Sequence, residues 1–174
     1  KIIDKKIFQE NKSISFFEIA KIKQFSELNE SINLLEKALN LRKNFPPYVR
    51  FYLKLLIQNK KYNLAKNFIK KTWKQNPHTD YKIIIKDLAF YLNTDYVDLV
   101  NFIISNNSNL EESKILLIEA AIVCKKWDLA RNEIKVLLDI KPKKEACLLM
   151  AKIEEGETGN IQKANSWSLR AKNG

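Results

Sequence analysis

The sequence predicts an all-α fold in which about five antiparallel helical hairpins stack into a solenoid. The first observation is a six-residue phrase at positions 125–130 that returns almost unchanged at 60–65, with looser copies at 26–31, 94–99 and 159–164. The second observation is spacing: the copies recur at intervals of 34, 34, 31 and 34 residues, ending at Ser31, Ala65, Leu99, Ala130 and Ala164. The third is composition, because 3 Gly and 4 Pro are too few for an all-β chain rich in tight turns.

A period of 34 residues resembles the tetratricopeptide repeat, in which a tight turn joins helix A to helix B. Two further spacings agree, since Ala65 precedes Pro77 by 12 residues and Ala130 precedes Pro142 by 12. The resemblance implies a right-handed α-solenoid whose A helices line its concave surface. Residues 12–174 then form a single solenoid after the end of a preceding helix at 1–11, with repeats at about 12–45, 46–77, 78–110, 111–144 and 145–174.

Each predicted repeat also has sequence features that indicate its helices. Apolar residues from Ile32 to Leu39 follow a 3.6-residue period on the first helix B. Pro46 and Pro47 begin the second helix A, where a missing N–H is tolerated. The third repeat is the degenerate one, the fourth is the most regular, and the fifth loses apolar character in its helix B. Turns are expected at about 26–30, 60–63, 93–96, 125–128 and 157–160, with Tyr62, Tyr96 and Trp127 packing against them.

The formal net charge of +11 has two possible origins. One is AT-rich codon usage, which favours Lys, Asn and Ile throughout a chain. The other is a basic surface for an acidic partner. No apolar run reaches the roughly 18 residues that a membrane span requires, since the longest, 115–124, contains Glu119. Because the chain begins within a predicted helix, we expect it to be a piece of a longer protein.

Residues suited to catalysis or metal binding are sparse, so we predict no enzymatic activity and no cofactor. His78 is the one histidine, and we expect it in a loop where Thr79 or Asp80 caps the next helix. Cys124 and Cys147 lie too far apart along parallel helices for a disulfide, so both are expected to be buried thiols. The pairs at 111–112 and 154–155 are adjacent glutamates, which we interpret as solvated surface.

Three segments, at 38–47, 73–80 and 146–159, together resemble the soluble part of the bacterial HemY family in their order and spacing. Membership would imply two transmembrane helices upstream, an inner-membrane location with this domain facing the cytoplasm, and a link to haem or porphyrin metabolism. The family supplies no catalytic residues to compare.

The function predicted from these features is a protein-interaction scaffold that binds a partner in its concave groove. Positions 5, 9 and 12 of each helix A should face that groove, which would have a basic end and an apolar middle suited to an amphipathic helix with acidic residues at one end. The alternative is a basic module for nucleic acid or anionic lipid, with nucleic acid less expected because no polar pair recurs in each repeat. The predicted groove residues are Arg50, Lys54, Ile84, Leu88, Tyr91, Ile115 and Glu119, with Ile57, Ile122, Leu149 and Ile153 at equivalent positions.

Overall fold

A computed structural model describes residues 2–138 and 143–173, and within these ranges the chain is helical with no strand. A 3-10 turn at Thr79–Tyr81 precedes α5. The predicted all-α fold of tetratricopeptide type is thereby confirmed. The helices are α1 (Ile2–Lys23), α2 (Leu28–Leu41), α3 (Pro46–Gln58), α4 (Tyr62–Gln75), α5 (Lys82–Tyr91), α6 (Tyr96–Ile104), α7 (Glu111–Val123), α8 (Trp127–Leu138), α9 (Lys144–Thr158) and α10 (Ile161–Asn173).

The chain divides into two compact units. Unit 1 comprises Lys1–Asn93 and contains α1 to α5, whereas unit 2 comprises Thr94–Gly174 and contains α6 to α10. In unit 1, α1 packs on α2 and α3 packs on α4; in unit 2, α7 packs on α8 and α9 on α10. Because two to four residues join the members of each pair, these pairs are antiparallel hairpins. A single continuous solenoid over residues 12–174 stays a prediction.

The recurring phrase forms the turn and first residues of helix B, as predicted. Its final residue is buried in every copy, with exposed fractions of 0% at Ser31, Ala65 and Ala130, 2% at Leu99 and 6% at Ala164. The Ser31 hydroxyl donates a hydrogen bond of 2.7 Å to the carbonyl oxygen of Ala20 on α1. At Ser31, Ala65, Ala130 and Ala164, a small side chain therefore lies where the two helices of a hairpin cross closely.

Two of these turns place a lysine in the left-handed backbone region. Lys60 and Lys125 both have φ of 56°. The next residue in each case, Lys61 or Lys126, donates its backbone N–H to the carbonyl five positions earlier. This bond and the one from the left-handed residue itself are the pair that define a Schellman C-cap, a position usually occupied by glycine.

Aromatic residues begin three of the B helices, and Tyr62 and Trp127 contact other helices, so packing against the turns stays a prediction. Tyr96 is 8% exposed, and Tyr62 stacks on Tyr91 with ring centroids 5.5 Å apart. Trp127 lies over Gly156 of α9 so closely that a Cβ atom there would be 2.6 Å from the Trp127 ring. Glycine at 156 thus permits the close approach of α9 to this indole.

The predicted helix boundary at residue 11 is wrong, because α1 continues from Ile2 to Lys23 without a break. Ser13 and Ser15 could have begun a new helix, but both hydroxyls donate to carbonyl oxygens in the preceding turn, at Glu10 and Asn11. Serine used in this way stays inside a helix instead of capping one. Residues 4–11 therefore belong to the same helix as the first predicted helix A.

Two expectations about the burial of single residues also need correction. Glu154 is only 5% exposed and accepts a hydrogen bond of 3.1 Å from Nη1 of Arg131, so it is not solvated surface. The Glu154 carboxylate raises the pKa of the Arg131 guanidinium, with a further contribution from Glu157. Cys147 is a buried thiol as expected, whereas the Cys124 thiol is half-buried.

His78 lies in a capping loop as expected, but its own side chain makes the cap. Nδ1 of His78 accepts a hydrogen bond of 3.2 Å from the backbone N–H of Asp80 at the start of the 3-10 turn. The predicted caps, Thr79 and Asp80, lie within that turn instead. Pro142, the second proline of the predicted spacing, lies outside the described residues.

Candidate functional site

Unit 1 contains an open cleft of about 480 Å³ formed by three successive A helices, α1, α3 and α5, and by the 3-10 turn before α5. We call this the A-helix cleft. It lies where the repeat pattern places a concave binding surface. Its lining residues are Phe17, Pro47, Arg50, Phe51, Lys54, Asp80, Ile83, Ile84 and Asp87.

The floor of the cleft is apolar. Phe17 of α1 stacks on Tyr48 at 4.6 Å between ring centroids and meets the Phe51 ring edge-on at 5.5 Å. These contacts hold the first two A helices together and fix the rings in place. Ile83 of α5 is 70% exposed, and covering a side chain of this size is worth about 1–2 kcal/mol.

The two sides of the cleft carry opposite charges. Arg50 and Lys54 are four residues apart on α3, so they extend from one face of that helix. Asp80 in the 3-10 turn and Asp87 on α5 form the other side. Among the described residues, no ion pair joins the two sides, although Asp80 lies 3.8 Å from Nδ1 of His78 and Lys54 lies over the Phe51 ring. The cleft is therefore dipolar, and the predicted basic end is only half of its charge pattern.

Tyr81 lies buried behind the acidic side of the cleft. Its side chain is 0% exposed, and its ring meets Trp73 of α4 edge-on with centroids 6.3 Å apart. Burial and, to a lesser extent, the charge of Asp80 raise the pKa of the Tyr81 hydroxyl to about 12, against a lowering effect of Arg50. The hydroxyl has no hydrogen-bond partner. The charges of both sides of the cleft thus act on one buried polar group.

The predicted groove residues lie in different environments in the structure. Arg50, Lys54 and Ile84 line the cleft as predicted. Tyr91 is exposed but stacks on Tyr62 of α4, away from the cleft lining. Glu119 is half-buried on α7. Groove exposure is wrong for the residues that are buried in the core: Leu88 (1% exposed), Ile115 (4%), Ile57 (8%), Leu149 (2%) and Ile153 (0%).

The error at Leu88 has a geometric cause. Counting helix positions from residue 80 assumes an α-helix from that point, but residues 79–81 form a 3-10 turn. A 3-10 helix turns about 120° per residue and an α-helix about 100°, so the two counted residues, 80 and 81, rotate the face of α5 by roughly 40°. The cleft is therefore lined from Ile83, Ile84 and Asp87, and Leu88 faces the core.

The error at Ile115 has a different cause. Residues 115–118 are a continuous apolar run on α7, and all four are buried. Periodicity cannot assign a direction to a helix that is apolar around most of its circumference. Ile115 packs instead with Ala130 of α8 and Leu149 of α9 in the core of unit 2.

Phe17, Asp80, Ile83 and Asp87 are cleft residues that sequence reasoning missed. An aspartate at the start of a helix suggests a cap, so Asp80 gave no sign of facing a groove. Phe17 gave no signal beyond its apolar character. One signal could have identified two of these residues. Ile83, which is exposed, and Asp87 are four residues apart and so share one face of α5 once the start of that helix is known.

The described residues contain no group of three His, Cys, Asp or Glu side chains placed to hold a metal ion. In the same ranges, no helix combines the length and the apolar character that crossing a bilayer requires. The absence of a cofactor and of catalytic activity stay predictions, as does the location of the protein.

Comparisons with known proteins add little. No family model matches the chain, and no curated protein matches it. Two crystal structures of MamA are similar in outline: one is 17% identical over 93% of this chain and 91% of that chain with a TM-score of 0.47. The other is 18% identical over 89% of this chain and 93% of that chain with a TM-score of 0.48. With both TM-scores below 0.5, we base no inference on them, and the HemY resemblance rests on the sequence alone.

Proposed function

We propose that this chain is a non-catalytic protein-interaction scaffold and that its A-helix cleft binds an amphipathic helix of a partner protein. The observation that carries the proposal is the cleft itself, which combines an apolar floor with opposite charges on its two sides. An amphipathic helix presents an apolar stripe flanked by polar positions, so its shape and chemistry match this arrangement.

The charge pattern defines the partner further. Acidic side chains on one flank of the helix would face Arg50 and Lys54, and basic side chains on the other flank would face Asp80 and Asp87. The apolar stripe would cover Phe51 and the other floor residues. Complementary charges of this kind contribute mainly to specificity and to the rate of association, whereas the apolar contacts contribute most of the affinity.

The proposal is tested with three synthetic 18-residue helical peptides that share one leucine stripe and differ only in their flanking residues. One has glutamates on one flank and lysines on the other, the second has glutamates on both, and the third has lysines on both. Binding to the chain is measured by fluorescence anisotropy. We expect the mixed peptide to bind at least ten times more tightly than either of the others. Equal binding of all three would contradict a dipolar cleft.

Charge reversal in the protein provides the matched control. Arg50→Glu combined with Lys54→Glu makes both sides of the cleft acidic, so preference should shift from the mixed peptide to the all-lysine peptide. The reversal of two exposed lysines of unit 2, Lys144→Glu with Lys152→Glu, changes the net charge equally and should leave the preference unchanged. A shift in the control, or none in the cleft variant, would reject the site.

The HemY resemblance supports a finer proposal, namely that this domain faces the cytoplasm from the inner membrane and acts in haem or porphyrin metabolism. It is tested in cells that express the full-length gene product from its own locus. The protein should sediment with inner membranes, resist extraction by high salt and be released by detergent. Release by salt alone would contradict an integral membrane anchor, and an unchanged porphyrin profile after gene deletion would contradict the metabolic link.

A further inference from the structure

The net charge of the chain lies entirely in one of its two units. Unit 1 has 19 Lys and Arg residues against 8 Asp and Glu, which is a net charge of +11. Unit 2 has 12 of each and no net charge. Codon usage acts along a whole gene, so it does not account for an excess confined to one half. A charge asymmetry of this kind points to a polyanionic partner of unit 1.

Within unit 1 the excess is concentrated further. Residues 37–79, which run from the middle of α2 through the end of α4, contain 11 Lys and Arg residues and no Asp or Glu. The ion pairs of α1 with α2 and those of unit 2 neutralise many cations elsewhere, as Lys23 with Glu30 and Lys126 with Asp95 show. Apart from Lys37, which follows Glu36, the basic residues of the 37–79 segment have no acidic residue beside them in the sequence.

The C-terminal ends of α2 and α4 bring part of this charge together. Nδ2 of Asn44 donates to Oε1 of Gln75 at 3.0 Å, and Nδ2 of Asn76 donates to the Asn44 carbonyl oxygen at 3.1 Å, which ties the two helix ends side by side. A pocket of about 220 Å³ between them is lined by Lys43 and Lys71. Lys74, in the last turn of α4, is also exposed. We call this region the α2/α4 edge.

Three of the other side chains at the α2/α4 edge are amides, beside Leu39, Phe68 and Thr72. Asn40, Asn44 and Gln75 line the same pocket as Lys43 and Lys71, over the ring of Phe68. Lysine, asparagine and glutamine are among the side chains that contact nucleic-acid phosphates. By contrast, the buried centres of protein interfaces are depleted in lysine, so this composition favours a nucleic-acid backbone over an acidic protein.

Exposed apolar side chains lie away from the α2/α4 edge. In the segment 37–79 the only strongly exposed large apolar side chain is Leu64, which is near the opposite, N-terminal end of α4. In unit 1, Phe25 (86% exposed) and Phe90 (78%) lie at the C-terminal ends of α1 and α5. Binding within a membrane interface uses apolar side chains beside the basic ones. At the α2/α4 edge the apolar lining residues, Leu39 and Phe68, are half-buried and neither is strongly exposed, which favours phosphates over a lipid surface.

We propose that the α2/α4 edge binds nucleic acid through its phosphates, without reading sequence. Lys43, Lys71 and Lys74 supply the charge, and the neighbouring amides supply hydrogen-bond donors. The three lysines lie near the C-terminal ends of helices, where they also interact favourably with the helix dipole. This site is separate from the A-helix cleft and does not depend on what the cleft binds.

The test is fluorescence anisotropy with a labelled 20-nucleotide single-stranded DNA of mixed sequence, titrated with the whole chain at several salt concentrations. The triple variant Lys43→Gln, Lys71→Gln, Lys74→Gln should bind at least ten times more weakly at 50 mM salt. Its slope of log affinity against log salt should be shallower by about 2, because each lost phosphate contact on a single strand removes about 0.7. Circular dichroism checks that the variant is folded.

A control triple variant in unit 2, Lys125→Gln, Lys144→Gln, Lys152→Gln, removes the same charge from exposed positions. It should bind the DNA within a factor of two of the parent chain. Equal weakening of both variants would show that net charge alone attracts the DNA, and no weakening of the first would show that the edge is not the site; either result overturns the proposal. Tighter binding of polyglutamate or of vesicles with anionic phospholipid, compared at equal concentrations of negative charge, would also overturn it.

Discussion

The left-handed lysine at the turn between α3 and α4 allows a sharp test of the hairpin geometry. Lys60 has φ of 56°, while its neighbour Lys61 has φ of −86° and ψ of 52°. Both side chains are exposed. The substitutions Lys60→Gly and Lys61→Gly are therefore the same chemical change at adjacent positions, and they differ only in the backbone conformation that the structure assigns.

The expected effects have opposite signs. A residue with a Cβ atom pays about 1–2 kcal/mol to adopt the left-handed conformation, and glycine does not. Glycine also makes the unfolded chain more flexible, which lowers stability by about 0.4–1 kcal/mol. Lys60→Gly should therefore raise the free energy of unfolding by about 0.5–1 kcal/mol. Lys61→Gly has only the unfavourable contribution and should lower it by about 0.5–1 kcal/mol.

Urea denaturation followed by circular dichroism at 222 nm measures both variants against the parent chain. For a chain of this size, a change of 1 kcal/mol also corresponds to a shift of about 2–4 °C in Tm. If Lys60→Gly destabilises the protein as much as Lys61→Gly does, then the turn does not have the Schellman geometry. The register assigned to the recurring phrase would then be wrong as well, because the same geometry recurs at Lys125.

Three more predictions follow from single residues. Tyr81→Phe removes a buried hydroxyl that has no partner, so stability at pH 7 should be unchanged or higher by up to about 1 kcal/mol in urea denaturation. The pKa of Tyr81 is about 12 in the folded chain against an ordinary 10.0. The contribution of this pKa difference to the free energy of unfolding is therefore complete below pH 10 and is lost as the pH rises through 12. Between pH 10 and 12, the Tyr81→Phe variant should lose stability less steeply than the parent chain. Ala130→Trp should overpack the crossing of α7 and α8 and cost about 1–3 kcal/mol, and a variant that melts like the parent would refute the crossing. Haem titrated into the parent and His78→Ala proteins should bind weakly and alike, and a sharp Soret shift lost in the variant would overturn the prediction that no cofactor binds.

The sequence was a good guide to the hairpins because repetition supplies several independent measurements of one feature. Ser31, Ala65, Leu99, Ala130 and Ala164 share a position and are all buried, although their side chains differ. A close helix crossing restricts size at that position in the four copies with Ser or Ala, so the signal survives where single motifs are weak. The turns follow directly from the same alignment of the chain with itself.

The cleft was harder to predict because it depends on the rotation of each helix about its axis. Arg50 and Lys54 were placed correctly, since α3 begins cleanly at a proline that fixes its first turn. Leu88 was misplaced because three residues of 3-10 helix precede α5. Local hydrogen bonding decides between these helix types, and no sequence period reveals it. The opposing Asp87 was missed for the same reason.

The uneven distribution of charge is present in the sequence, but it could not be assigned to one part of the fold until the two units were known. A net charge of +11 over the whole chain is compatible with codon usage alone. The contacts among helices place the division after Asn93, and only then does the excess prove to lie on one side. Likewise, the proximity of Lys43 to Lys71 follows from the Asn44–Gln75 hydrogen bond, which joins residues 31 positions apart.

The most direct test of the proposed scaffold function is an NMR titration of the isotope-labelled chain with the mixed-flank peptide. The A-helix cleft predicts chemical-shift changes in the side chains of Phe17 and Phe51 and in the methyl groups of Ile83 and Ile84, with little change on the outer faces of α2 and α4. Shifts centred instead on α2 and α4, or on unit 2, would contradict the account of where this protein binds its partner.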